Sequence, residues 1–181
     1  MRSPFARTEK VPAEVLAAAG LDRGDRVLSH ATAEDGTRLL GTRDALVIVP
    51  ASLSDVVTVP WQQVETADWD RDEELLRVAE VGEFGQARPL HEFALGEPGR
   101  LIQLVRERVT ASVLLQRRVS LPGTRKGLMV VARRSPRRHG EISWAYEYDA
   151  GVDPTDPVVV RAAEAAMREA RAEVGAGGEP I

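Results

Sequence analysis

Short apolar runs at close and regular spacing constrain this chain more than any other feature of its sequence. From residue 26 to residue 95, turn signals rich in Gly, Pro, Asp and Ser recur about every eight to twelve residues. That spacing fits strands joined by hairpins and leaves no room for alternating β-α units. The sequence therefore predicts an antiparallel sandwich or barrel. Its seven strands are predicted at 26–31, 37–42, 45–50, 55–60, 64–69, 74–81 and 88–95.

Helices are predicted on both sides of this strand series. The segment "PAEVLAAA" at 12–19 begins with a proline and is followed by a glycine, as a short helix often is. After the strands, Leu101, Leu104 and Val105 recur at the spacing of one apolar helix face. This recurrence predicts an amphipathic helix over 97–111.

Three more strands and a last helix are predicted further along the chain. "GLMVVARR" is apolar on both faces, so it should be the central strand of the three. Asp156 is a good N-cap for the helix, Pro157 suits its first position, and Gly175 suits its end. The three strands are predicted at 112–121, 126–134 and 141–149.

The order of seven strands and one amphipathic helix resembles a pleckstrin-homology-like (PH/GRAM-like) barrel over about residues 25–112. The stretch "VTVPWQQVETADWD" (57–70) is similar to one common in bacterial members of that superfamily. There an apolar strand ends in Pro-aromatic, here at Trp61, and an apolar residue three places later, here Val64, starts the next strand. The resemblance implies a mainly β fold with α (α+β) in which the helix caps one end of a bent sheet, a type of fold mostly used for recognition.

The predicted organisation has four parts. They are an N-terminal segment with a short helix (1–24), the PH-like barrel with its capping helix (25–112), a β-meander with the C-terminal helix packed on the barrel (113–175), and a frayed tail (176–181).

The resemblance also bears on lipid binding. Pleckstrin-homology domains that bind phosphoinositides carry basic residues in the turn between their first two strands. Here that turn reads "HATAEDGTR", and Glu34 and Asp35 at its tip would repel a phosphate group. A phosphoinositide-type ligand is therefore not expected at this turn.

Composition excludes several classes of function. The chain has no cysteine, so disulfides, thiolate metal sites and cysteine catalysis are excluded. No segment approaches the roughly 20 apolar residues of a membrane span. The first residues also lack the apolar run of a signal peptide. We expect a cytoplasmic protein without a membrane span.

No motif for catalysis, metal binding or cofactor binding is found. His30, His91 and His139 lie far apart in the sequence and match no metal-binding pattern. "DWDRDEE" has the alternating acids of a calcium loop, but Glu73 stands where that loop needs glycine. Phosphate-binding loops and nucleophile elbows are missing as well. We therefore predict no catalytic residue, no metal and no cofactor.

Basic charge is concentrated in one segment. Residues 108–140 carry nine Arg or Lys and no Asp or Glu, in a chain with a formal net charge of −4. The densest group lies in the hairpin at 133–138, where arginines can hold phosphate or contact a partner. Glu141, Glu147 and Asp149 on the next strand could neutralise part of this group, which would leave the hairpin a merely solubilising role. The candidate contact residues are Arg133, Arg134, Arg137 and Arg138.

Aromatic residues give two further hypotheses. Phe84 lies between glycines in "GEFGQ" and is a candidate exposed aromatic for a partner contact. Trp144, Tyr146 and Tyr148 share one strand face that could stack bases. A face with this period is more often core, and we expect the last helix to cover Trp144 and Tyr146.

These observations predict a non-enzymatic adaptor that recognises a protein partner. One alternative is a nucleic-acid-associated protein that uses the arginine-rich hairpin 133–138, although the isoelectric point near 5.5 argues against a general DNA binder. The other alternative is an enzyme whose site has no recognised motif. The sequence does not identify the partner or the oligomeric state.

Overall fold

The computed structural model describes residues 10–21, 25–82, 88–135 and 142–176, and their elements follow the predicted order. None of the described helices is long and apolar enough to cross a membrane. The helices are α1 (Ala13–Ala18), α2 (Leu101–Ser112) and α3 (Pro157–Ala176), with a 3-10 turn at Trp61–Gln63. The strands are β1 (Ser29–Thr32), β2 (Arg38–Gly41), β3 (Ala45–Val49), β4 (Val57–Pro60), β5 (Val64–Asp70), β6 (Leu75–Glu80), β7 (Leu90–Ala94), β8 (Val113–Ser120), β9 (Gly127–Arg134) and β10 (Ile142–Tyr148).

The strands form three antiparallel sheets, which confirms the predicted mixed α+β class. The strand orders are β1-β2-β3-β4, β5-β6-β7 and β10-β9-β8. Over the described residues, strand pairing does not close the first two sheets into the predicted barrel. A backbone hydrogen bond of 3.0 Å from the Glu34 N–H to the Ala94 carbonyl links them at one corner.

The first two sheets and α2 share one hydrophobic core. Trp61, on the turn between β4 and β5, is fully buried there, and its Nε1–H donates to the Thr42 carbonyl at 3.2 Å. Truncating a buried tryptophan of this kind costs about 3–5 kcal/mol. Helix α2 lies so close to β2 that a Cβ atom on Gly41 would be 2.6 Å from a methyl carbon of Leu104. The close approach explains why the strand carries glycine at this position.

A second cluster lies on the outer face of the first sheet, under α1. Val15 and Ala19 of the helix pack against Leu40, Val47 and Val49 of the sheet. Strand β3 is therefore buried on both faces, in agreement with its uninterrupted apolar sequence.

The third sheet and α3 form a core cluster of their own. Strand β9 is central, as predicted, and the Asp156 carboxylate caps α3 by accepting the Val158 N–H at 2.7 Å. The helix continues to Ala176, so the prediction that Gly175 ends it is wrong: Gly175 does not adopt the left-handed backbone of a helix stop. The buried stripe of α3 consists of Val159, Ala163, Ala166 and Ala170.

Candidate interaction surfaces

Arg133 is buried at the point where the third sheet meets β5. The residue is 4% exposed, and its guanidinium donates to the Glu65 carbonyl at 3.0 Å and to the Ser112 hydroxyl at 3.4 Å. Burial lowers the pKa of Arg133, and the Glu147 carboxylate, 3.9 Å away, opposes that shift. These contacts correct the prediction of Arg133 as a surface contact, because the side chain is used inside the molecule.

Of the other predicted contact residues, one lies at the end of β9 and three lie outside the described residues. Arg134 is half-buried and pairs in register with Ile142. Its Nε atom is buried and has no hydrogen-bond partner in the described structure. Arg137, Arg138 and Phe84 fall outside the described ranges, so their predicted contacts stay predictions.

The acidic residues that were predicted to neutralise the arginine-rich hairpin 133–138 do not all lie near it. Glu147 approaches Arg133, but Asp149 lies beyond the far end of β10, where it accepts from Arg118 at 2.6 Å and from the Gly127 N–H at 2.7 Å. These hydrogen bonds, first that from Arg118, hold the pKa of Asp149 below its ordinary value. Asp149 therefore does not neutralise the 133–138 end. Glu141 is not among the described residues.

A group of ionisable side chains surrounds Glu65 at the junction of the second and third sheets. The Glu65 side chain is 10% exposed and its carboxylate accepts a hydrogen bond from Arg88 at 2.6 Å. Burial raises the pKa of Glu65, Arg88 and Arg133 lower it, and Glu147 raises it further. A carboxyl group with a raised pKa is a possible general acid. Here the carboxylates of Glu65 and Glu147 are balanced by the guanidinium groups of Arg88 and Arg133. The arrangement therefore fits a structural group of ion pairs better than a catalytic acid–base pair.

In the described part of the chain, no group of three or more His, Cys, Asp or Glu side chains has a geometry that could hold a metal ion. His91 contacts Glu80 at 2.7 Å, Nε2 to Oε1, on neighbouring strands, and its ring lies parallel to that of Phe93. These contacts are those of a histidine with a structural role.

A cavity of about 460 Å³ lies where the chain leaves β9. Ser135 lines it together with Asp25, Asp44 and Gln62. The arginine-rich hairpin therefore starts beside two carboxylates of the N-terminal half.

An apolar groove runs between α1 and β1 and has a volume of about 560 Å³. Leu16 on its wall is 39% exposed, although it is a large apolar side chain. Lys10, Arg26 and His30 lie on the rim. We call this surface the α1 groove; it consists of Lys10, Val11, Leu16, Leu21, Asp25, Arg26, Val27 and His30.

The edge strand β10 forms a second candidate surface. Helix α3 packs mainly over β8 and β9, and Arg117 of β8 holds it through Glu169 at 3.2 Å. Trp144 and Tyr146 are therefore covered only in part, and the Arg171 guanidinium lies 5.7 Å from the Trp144 ring centroid. The expectation that α3 covers both aromatics is met partly, because the helix is offset from the edge of the sheet.

Comparison with protein-family models, with curated proteins and with solved structures finds no match to this chain.

The α1 groove was not predicted from the sequence, because it depends on how α1 docks on the first sheet. One signal pointed to it. Leu16 follows the buried Val15 in a six-residue helix, so its side chain points about 100° away from that of Val15 around the helix axis.

Proposed function

We propose that the chain is a non-enzymatic cytoplasmic adaptor that recognises a protein partner through the α1 groove. The observation that carries this proposal is a mainly apolar groove with Leu16 exposed on its wall and basic side chains on its rim. Exposed apolar surface bordered by polar groups is typical of interaction sites.

The chemistry of the groove indicates the kind of partner. Its apolar lining suits aliphatic or aromatic anchors, and burial of apolar surface contributes roughly 25 cal/mol per Å². Among the described residues that line the groove, Lys10 and Arg26 outnumber Asp25, so acidic groups beside the anchors are favoured over basic ones. An amphipathic segment with apolar and acidic side chains fits this pattern.

The fold supports recognition as the role, by analogy. A four-stranded sheet, a three-stranded sheet and a helix with one shared core are compatible with the PH-like barrel inferred for residues 25–112. Phosphoinositide binding at the β1–β2 turn is not part of the proposal. Asp35 there accepts from the Thr37 N–H at 2.9 Å, so its carboxylate is a structural part of the turn.

Nucleic-acid association is the weaker alternative, because burial withdraws Arg133 from the basic group. An enzymatic role has no supporting constellation in the described part of the chain. Both become outcomes of the same experiment.

Photocrosslinking tests the proposal. Leu16, 39% exposed, is replaced by the photoreactive p-benzoylphenylalanine, and Leu114, 42% exposed on β8, serves as the matched control. We expect one defined protein to be crosslinked through residue 16 and not through residue 114, as identified by mass spectrometry. Equal labelling at both positions, or crosslinks to nucleic acid in place of protein, would overturn the proposal.

A further inference from the structure

The outer edge of β10 is less protected than the other long edges in the described structure. The edge of β5 is partly covered, because Arg133 binds the Glu65 carbonyl, and β8 carries Arg117 and Arg118 along its length. Strand β10 has seven residues and Glu147 as its one charged side chain. Proteins normally blunt such edges with charge, proline or a covering element.

The main-chain groups of β10 have a defined direction. The Asp149 N–H donates to the Gly127 carbonyl at 3.1 Å, and Ala145 is paired with Val131 in the same ladder. Bonded and non-bonded pairs alternate in an antiparallel ladder. The N–H and C=O groups of Trp144 and Tyr146 therefore point away from β9, and none of the described strands pairs with them.

The sequence of β10 is complementary to itself in one antiparallel register. With Ala145 on a twofold axis, Trp144 lies opposite Tyr146 of a second copy, and each such pair exchanges two backbone hydrogen bonds. On the opposite face, Ser143 lies opposite Glu147, and the Ser143 hydroxyl donates to the Arg133 carbonyl of its own chain at 3.4 Å. These central pairs bring no two like charges together, and the small Ala145 side chains meet at the axis.

The offset of α3 makes this pairing sterically possible. The helix lies mainly over β8 and β9 and reaches the Trp144 ring with its Arg171 guanidinium, so it covers the rings of Trp144 and Tyr146 only in part. In the paired arrangement, these half-buried rings would cover the equivalent rings of the other copy. Aromatic pairs across strands stabilise strand pairing relative to alanine pairs.

We propose that the chain forms a twofold homodimer in which β10 pairs antiparallel with β10 of a second copy around Ala145, joining the two third sheets into one six-stranded sheet. This interface is separate from the α1 groove and does not depend on the proposed adaptor function. A closed twofold contact uses up the open edge, which limits further strand addition.

Single cysteines test the register, because the chain has no cysteine of its own. Facing residues of a non-bonded antiparallel pair have Cα atoms about 4.5 Å apart, within the range a disulfide accepts. Under mild oxidation, Ala145→Cys should give a covalent dimer. The matched control is Gln116→Cys, on the same sheet face and on the other side of Val131, and it should give no covalent dimer.

Charge substitutions at the axis give an independent readout by light scattering after size exclusion. The unaltered chain should be a dimer, Ala145→Lys and Ala145→Glu should each be monomers, and their equimolar mixture should restore the dimer. Melting temperatures of the variants separate loss of pairing from loss of fold. A monomeric unaltered chain at all concentrations, or a dimer insensitive to Ala145→Lys and uncrosslinked by Ala145→Cys, would overturn the proposal.

Discussion

Contacts with residues that are distant in the sequence determine the role of Arg133. In the sequence it belongs to the group of arginines at 133–138, which a nucleic-acid site would use. In the structure it donates to the Glu65 carbonyl and the Ser112 hydroxyl. No local pattern could predict this burial, because Glu65 lies 68 residues earlier in the chain.

Replacing Arg133 by methionine should therefore reduce stability. The Glu65 carbonyl would lose its hydrogen bond in a buried place, which costs about 1–3 kcal/mol. The free energy of unfolding, measured by urea denaturation, should fall by roughly this amount. Arg125→Met, at an exposed position, should change it little. Equal stability of the two variants would contradict the structural role of Arg133.

A second prediction at the residue scale concerns Trp61. Phenylalanine in its place would fill most of the volume but leave the Thr42 carbonyl without the indole donor. Trp61→Phe should lower the free energy of unfolding by about 1–3 kcal/mol. Trp69→Phe, at a partly buried position, is the matched control and should cost less. A smaller loss at position 61 than at position 69 would argue against the buried hydrogen bond as the source of the effect.

At the scale of elements, the order of strands and helices could be predicted from the sequence, but the way in which they pack against one another could not. Strands and helices were predictable because alternation, helical periodicity and cap residues such as Asp156 act over a few neighbouring residues. The offset of α3 from β10 and the groove beside α1 depend on contacts between distant elements. Gly175 failed as a helix stop because a glycine permits the left-handed backbone without requiring it.

The end of the β9–β10 pair should respond to pH through Asp149. Its pKa is lowered in the folded chain by hydrogen bonds from Arg118 and from the Gly127 N–H. This contribution to stability is present above the ordinary aspartate pKa of about 3.9 and is lost as the pH falls through the lowered folded value. Asp149→Asn should thus lower the melting temperature at pH 7, and the difference should shrink under acid conditions.

Asp72→Asn, which removes one negative charge from the exposed β5–β6 turn, is the control for net charge. It should leave the melting temperature nearly unchanged across the same pH range. A loss of stability in Asp149→Asn that is the same at pH 7 and at pH 3 would contradict the assigned contacts.

At the scale of the whole molecule, the described residues contain two main hydrophobic clusters with a polar junction between them. One contains residues of the first two sheets and α2, and the other contains residues of the third sheet and α3. Glu65, Arg88, Arg133 and Glu147 lie at the junction. The proposed pairing at β10 uses residues other than those that line the α1 groove.

The central claim is recognition of a protein partner through the α1 groove. Its most direct test is calorimetric titration of the protein crosslinked through residue 16 with the unaltered chain and with Leu16→Glu and Leu114→Glu. We predict that Leu16→Glu weakens binding by at least about tenfold, the effect of losing roughly 1.4 kcal/mol at an apolar anchor, while Leu114→Glu leaves the affinity unchanged. Equal affinities of the two variants, at equal melting temperatures, would contradict the claim.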